Sequence, residues 1–195
     1  MRKITFDIET QNFFEQVGSN DPADLDISLV CIHDSKTDEY DTFMFDDLDR
    51  LWPILEKADM LIGYNSDHFD IPLLNKYYSG DLTKIKSLDI LKEIKDSIGR
   101  RFKLDSIAEA TLGINKSGQG MDAVKWWNSG EIDKIKKYCL DDVRITKEVY
   151  NYARKNNRLK YKDKITHKIL DIDLDTSKWE NKEAKKDGGI TSSLF

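Results

Sequence analysis

Cysteine is scarce in this chain: Cys31 and Cys139 are the only two among 195 residues. Both lie in apolar patterns, too few for a disulfide framework and not spaced as a CxxC zinc site. They read as buried free thiols of a reducing compartment. Long apolar runs are lacking too. No stretch approaches the roughly 20 residues of a membrane-spanning helix. Asp7 and Glu9 interrupt the N-terminal segment where a signal peptide would place its apolar core, so a cytoplasmic location is expected. The three histidines, His33, His68 and His167, have no partner at metal-ligand or triad spacing. A histidine general base is therefore not read, and surface or supporting positions are expected for all three. There is no internal repeat and no Walker or dinucleotide motif. The glycine-containing run Lys116-Ser117-Gly118-Gln119-Gly120 reads as a plain loop. Excess positive charge is also absent. The net charge of -5 argues against indiscriminate nucleic-acid binding, although Arg154, Lys155, Arg158, Lys160, Lys162, Lys164 and Lys168 form a local basic stretch.

What is present begins near the N-terminus. In Ile4-Thr5-Phe6-Asp7-Ile8-Glu9, apolar and polar residues alternate with the period of a strand. Ile4, Phe6 and Ile8 face one side; Thr5, Asp7 and Glu9 face the other. Two carboxylates on one face of a buried strand are costly to keep ionised without positive charge between them. A pair of hard divalent cations is the usual solution.

The rest of the chain alternates strand and helix signals. Ser28 to His33 and Tyr40 to Phe45 read as a hairpin pair. Asp47 to Lys57 reads as a helix disturbed by Pro53, and Met60 to Tyr64 as a short buried strand. Ser66 to Tyr78 reads as a helix, and Ser87 to Leu91 as either a strand or a helix start. Helices follow over Leu104 to Leu112, Met121 to Asn128 and Glu131 to Arg154, the first closed by Gly113. Beyond about Lys160 apolar anchors are few, and Glu180 to Ser193 is polar and lysine-rich, the composition of a segment without fixed structure. Strands first and helices interleaved later give a mixed α/β domain.

Two further carboxylates stand out. The helix from Glu131 carries an apolar stripe at Ile132, Ile135, Cys139, Val143 and Thr146. Asp142 lies beside that stripe, and Tyr138 sits one turn before it. Asp141 points about 100° further round, toward the polar flank. Asp70 follows Phe69 in the 66–78 helical pattern, where a first-turn carboxylate would also suit the helix dipole. Asn65 ends the preceding strand and could equally cap that helix or hydrogen-bond a substrate. Of the adjacent Trp126 and Trp127, only one can face the core of a single helix.

Three blocks, Phe6-Asp7-Ile8-Glu9-Thr10, Tyr64-Asn65-Ser66-Asp67-His68-Phe69-Asp70 and Tyr138-Cys139-Leu140-Asp141-Asp142, occur in the order found in the DEDD, or DnaQ-like, exonucleases of the ribonuclease H-like superfamily, and the chain resembles that family over about residues 1–155. The third block has the form Tyr-x-x-x-Asp. The histidine of the alternative form would fall at Lys137, so the tyrosine variant is the one resembled. The resemblance implies a ribonuclease H-like fold, a central mixed β-sheet flanked by α-helices, over residues 1–160, with 161–195 a basic and polar tail. It also implies a 3′-5′ exonuclease that releases nucleoside 5′-monophosphates, with two divalent ions, Mg²⁺ or Mn²⁺, held by Asp7, Glu9, Asp70 and Asp142. Tyr138 would orient the attacking water, since a phenol of pKa near 10 is a poor base at neutral pH. Thr10, Asn65 and Phe69 would touch a nucleic acid with a free 3′ end. An RNA-trimming enzyme and a nuclease-like module that binds without cutting remain alternatives. These residues include no polymerase region, so a proofreading role would call on a separate polymerase. The final Ser193-Leu194-Phe195 resembles the end of sliding-clamp-binding peptides, with Thr191 where their leading glutamine stands.

Overall fold

The structure is a computed structural model that describes residues 1–114 and 121–181. The 116–120 loop and the clamp-like Leu194 and Phe195 lie outside the described residues.

The first strand, β1 (Lys3–Thr10), alternates as its sequence dictates and forms the centre of a five-stranded sheet. It pairs antiparallel with β2 (Ile27–Asp34), which pairs antiparallel with β3 (Glu39–Met44). On its other edge β1 pairs in parallel with β4 (Met60–Gly63), and β4 pairs in parallel with β5 (Ser87–Asp89). The sheet order is β3-β2-β1-β4-β5. β4 accompanies β1 only along Lys3 to Thr5. The second half of β1 therefore has an open edge, and the chain leaving β4 turns away beside it. On the β2 side the register slips between Glu9 and Thr10, a bulge that re-aims the end of β1.

Helices cover both faces. One face of the sheet buries Ile4, Phe6 and Ile8 against α1 (Phe14–Val17), α2 (Trp52–Leu55) and α3 (Asp70–Tyr77). The 47–57 helical pattern is split: a 3₁₀ segment spans Phe45–Arg50 and α2 restarts with Pro53 in its first turn, where a missing N–H costs nothing. The 87–91 ambiguity resolves into both alternatives, because Asp89 ends β5 and caps α4 (Ile90–Ile98). Then come α5 (Leu104–Leu112) and α6 (Met121–Asn128). The long α7 (Ile132–Asn156) crosses the second face. Its Ile135, Cys139 and Val143 pack on Leu29 and Cys31 of β2; its Ile145, Val149 and Ala153 pack with Met60, Ile62 and Leu88.

The segment after residue 157 differs from the expected tail. It forms a hairpin, β6 (Arg158–Lys162) with β7 (Ile169–Asp173), and a 3₁₀ turn at Thr176–Lys178. Leu159, Ile172, Leu174 and Trp179 are buried in the same core as α7. Four apolar residues spread among charged neighbours suffice, because the core face already exists to receive them. His33 is likewise buried, with its Nε2 2.8 Å from Asp38 Oδ1 and 3.2 Å from Lys147 Nζ, whereas His68 and His167 are exposed.

Candidate active site

The open edge of β1 is where the acids gather. One carboxylate oxygen each of Asp7 and Glu9 lies within 4.8 Å of the other and of Cys139 Sγ on α7. The Cys139 thiol donates to the Asp7 backbone carbonyl at 3.3 Å. Burial holds this thiol well above its ordinary pKa, with Cys31 and the Asp7 and Glu9 charges acting in the same direction. It thus remains a protonated packing contact that seats α7 on β1. The oxygens of Asp7 and Glu9 are the hard donors here, which suits a hard divalent cation rather than a thiolate-seeking ion.

Asp70 enters from the other face. Residues 65–69 form turns and Asp70 is the first residue of α3, so the helix starts later than the 66–78 pattern implies. The cause is tertiary. Asp89, buried at the start of α4, accepts from the backbone N–H of Asn65 (2.8 Å) and Asp67 (3.2 Å) as well as those of Leu91 and Lys92. This pins the turn before α3. Gly63 makes the turn feasible: a Cβ there would stand 2.4 Å from the Ser66 side chain. Asn65 sits in the left-handed region at φ 68°, accessible to asparagine more readily than to most residues.

Held this way, the Asp70 carboxylate is buried and takes a hydrogen bond from the Ile8 backbone N–H, between Asp7 and Glu9 on the strand. Burial raises its pKa well above the carboxylate range, the Asp89 charge raises it further, and the Ile8 and Asp70 N–H groups oppose the shift. A carboxylate so placed favours a proton or a cation.

Asp142 and Tyr138 are both buried on the face of α7 that also carries Cys139. The Tyr138 ring is met edge-on by Trp126 at 5.9 Å, while Trp127 lies edge-on to Phe45 at 6.0 Å. Asp141 is partly exposed and pairs with Arg144 at 3.2 Å. The two neighbouring acids are thus in different surroundings.

The structure therefore brings Asp7, Glu9 and Asp70 to one strand end and lays the helix of Tyr138 and Asp142 across it. The other three predicted residues lie around this centre. The Thr10 hydroxyl donates to Asn12 O, and the Phe69 ring meets Phe14 edge-on at 6.2 Å. Asn65 is not the cap of α3, a position Phe69 occupies; its Oδ1 accepts from Arg101 Nη2. Asp89 and Arg101 were not singled out from sequence. The signal for Asp89 was an aspartate directly before the amphipathic run Ile90, Leu91, Ile94 and Ile98.

No curated protein sequence matches the chain significantly. Among solved structures, the family B DNA polymerase from the hyperthermophilic archaeon Pyrobaculum calidifontis is similar, with a TM-score of 0.62 and 21% identity over 78% of this chain. The match covers 24% of that polymerase, so the chain corresponds to about a quarter of its length. The central mixed sheet with helices on both faces is a ribonuclease H-like fold. The family model described as RNase_H superfamily matches residues 4–154, which include Asp7, Glu9, Asp70, Tyr138 and Asp142. This chain belongs to the RNase H superfamily.

Proposed function

We propose that the protein is a metal-dependent 3′-5′ exonuclease of the tyrosine DEDD type, acting on a nucleic acid with a single-stranded 3′ end. The observation that carries this reading is the convergence on β1: the Asp7 and Glu9 oxygens lie together, and Asp70 is hydrogen-bonded to Ile8 between them. Membership of a nuclease-rich superfamily supports hydrolysis of phosphodiesters as the chemistry.

In this reading Asp7, Glu9, Asp70 and Asp142 would hold two divalent ions, Mg²⁺ or Mn²⁺. When bound, such a pair supplies a hydroxide near neutral pH and stabilises charge on the leaving oxygen. The chain's own groups do the rest. Asp70 would give up its proton to serve as a ligand. Tyr138, its ring fixed by Trp126, donates a hydrogen bond that orients the attacking water. Cys139 and Asp89 touch no substrate; they fix α7 and the turn before α3 against β1.

The test uses 3′- and 5′-labelled single-stranded DNA and RNA, and a circular single strand, each with Mg²⁺ or EDTA. The expected result is stepwise shortening from the 3′ end with release of 5′-monophosphates, only with metal, and an uncut circle. Cleavage of the circle, or cleavage that survives EDTA, would overturn the proposal.

A further inference from the structure

Beside the acid cluster lies a pocket of about 280 Å³, bounded by the turn that carries Asn65, the first turns of α4, and Arg101. Asp89 lines it, as do Asn65, Asp67 and His68 of the turn that leads into Asp70 at the start of α3. That turn joins the pocket to the site. Lys92, Lys95 and Arg101 bring three basic side chains to its rim. Its acidic members already have partners. Asp89 is engaged by four backbone N–H groups, Asp67 accepts from Ser87 Oγ at 2.6 Å, and Asp96 pairs with Lys92 at 3.8 Å.

Arg101 is the unusual member. It is exposed, and its one hydrogen bond goes to Asn65 Oδ1 at 2.5 Å; it makes no ion pair among the described residues. A guanidinium has five donors in a planar fork that matches phosphate or carboxylate oxygens. One donor is used to aim this fork, and Arg101 itself lines the pocket. The aim is built in on both sides. Asn65 is locked in its left-handed conformation by Asp89. On the other side, Tyr64 Oη donates to the Phe102 carbonyl at 2.9 Å, and Arg100 lies 5.1 Å from the Phe102 and Tyr161 ring centres, so the loop around Arg101 is braced. A braced arginine with no carboxylate partner among the described residues, next to a site read as handling phosphodiesters, is arranged for another phosphate of the same strand.

We propose that Arg101, aimed by Asn65, clamps the backbone phosphate next to the scissile one, with Lys95 adding charge at the pocket rim. This rests on the nuclease reading for the identity of the strand. It makes Arg101 a positioning residue that selects polymers over single nucleotide esters.

The test is equilibrium binding in EDTA of a short fluorescent oligothymidylate. A second ligand carries an uncharged methylphosphonate in place of the linkage next to the 3′-terminal one. Wild type is expected to bind the second ligand about tenfold more weakly, and Arg101→Gln to bind the normal strand about tenfold more weakly. Arg101→Gln should show no further loss with the methylphosphonate, and its salt slope should fall by about one. Arg101→Lys should recover part of the affinity. Unchanged binding by Arg101→Gln, or a methylphosphonate penalty that persists in it, would overturn the clamp. Hydrolysis of the p-nitrophenyl ester of thymidine 5′-monophosphate with Mn²⁺ separates the two readings, because this substrate has a single phosphodiester. Wild type and Arg101→Gln should cleave it equally. A wild type that cleaves no substrate yet shows the Arg101-dependent binding pattern refutes the nuclease and keeps the clamp; equal binding with active hydrolysis refutes only the clamp.

Discussion

The two ends of β1 hold carboxylates in opposite ways. At its N-terminal end the protein supplies its own cations. Arg2 grips Asp34 with Nε and Nη2, and Glu180 receives Lys3 at 2.8 Å, Tyr150 Oη at 2.6 Å and Arg154 at 3.0 Å. Both acids are correspondingly more acidic: Glu180 falls to about 2, chiefly through Lys3 and then Tyr150, and Asp34 falls through Arg2. At the C-terminal end, five residues further on, Asp70 has a backbone N–H and the nearby charge of Asp89, and its pKa moves up. One end is a finished anchor that ties the last described turn to the first strand. The other gathers acids, as a site that recruits cations from solution would.

The largest losses are expected at the acidic end. Replacing Asp7 or Asp142 by asparagine should lower Mg²⁺-dependent hydrolysis by about a thousandfold, the scale of losing several kcal/mol of metal-borne stabilisation. Gel kinetics on an end-labelled strand measure it. Asp70→Asn should also abolish activity, but with the opposite effect on folding. Asp70 binds its proton more tightly folded than unfolded. Metal-free stability should therefore fall as pH rises above about 4, the unfolded carboxylate value. The asparagine variant should lose that slope and gain on the order of 2 kcal/mol near neutrality, read from urea melts across pH.

At the anchored end the sign reverses. Glu180 contributes stability above its unfolded value, lost as pH falls toward about 2. Glu180→Gln should cost about 1 kcal/mol at pH 7, a modest figure because the group is one-third exposed, and progressively less as pH falls through about 2. The smallest effect is expected at Asp141. Asp141→Ala removes a surface pair worth at most about 0.5 kcal/mol and should leave activity within about twofold of wild type. A loss matching that of Asp142→Asn would contradict the division of labour on α7.

The sheet and the long helices were legible because their signals are local. Alternation over Ile4 to Glu9, the stripe through Cys139 and Val143, and the stop at Gly113 each act within a few residues. The acids could be named because three short blocks retain their residue types and spacing. What was hidden depends on distant contacts. α3 starts at Asp70 rather than near Ser66 because Asp89, more than 20 residues on, holds the backbone of Asn65 and Asp67. The docking of Leu159, Ile172, Leu174 and Trp179 was hidden by charged neighbours, and Arg101 acquires meaning only beside the Asn65 side chain. His33 reads as a surface residue until Asp38 and Lys147 are seen to satisfy it.

The most direct test is anomalous diffraction from crystals soaked in Mn²⁺. Manganese density is expected ringed by Asp7, Glu9, Asp70 and Asp142, and lost in Asp7→Asn. Manganese found elsewhere on the molecule, with those four side chains bare at saturating concentration, would contradict it.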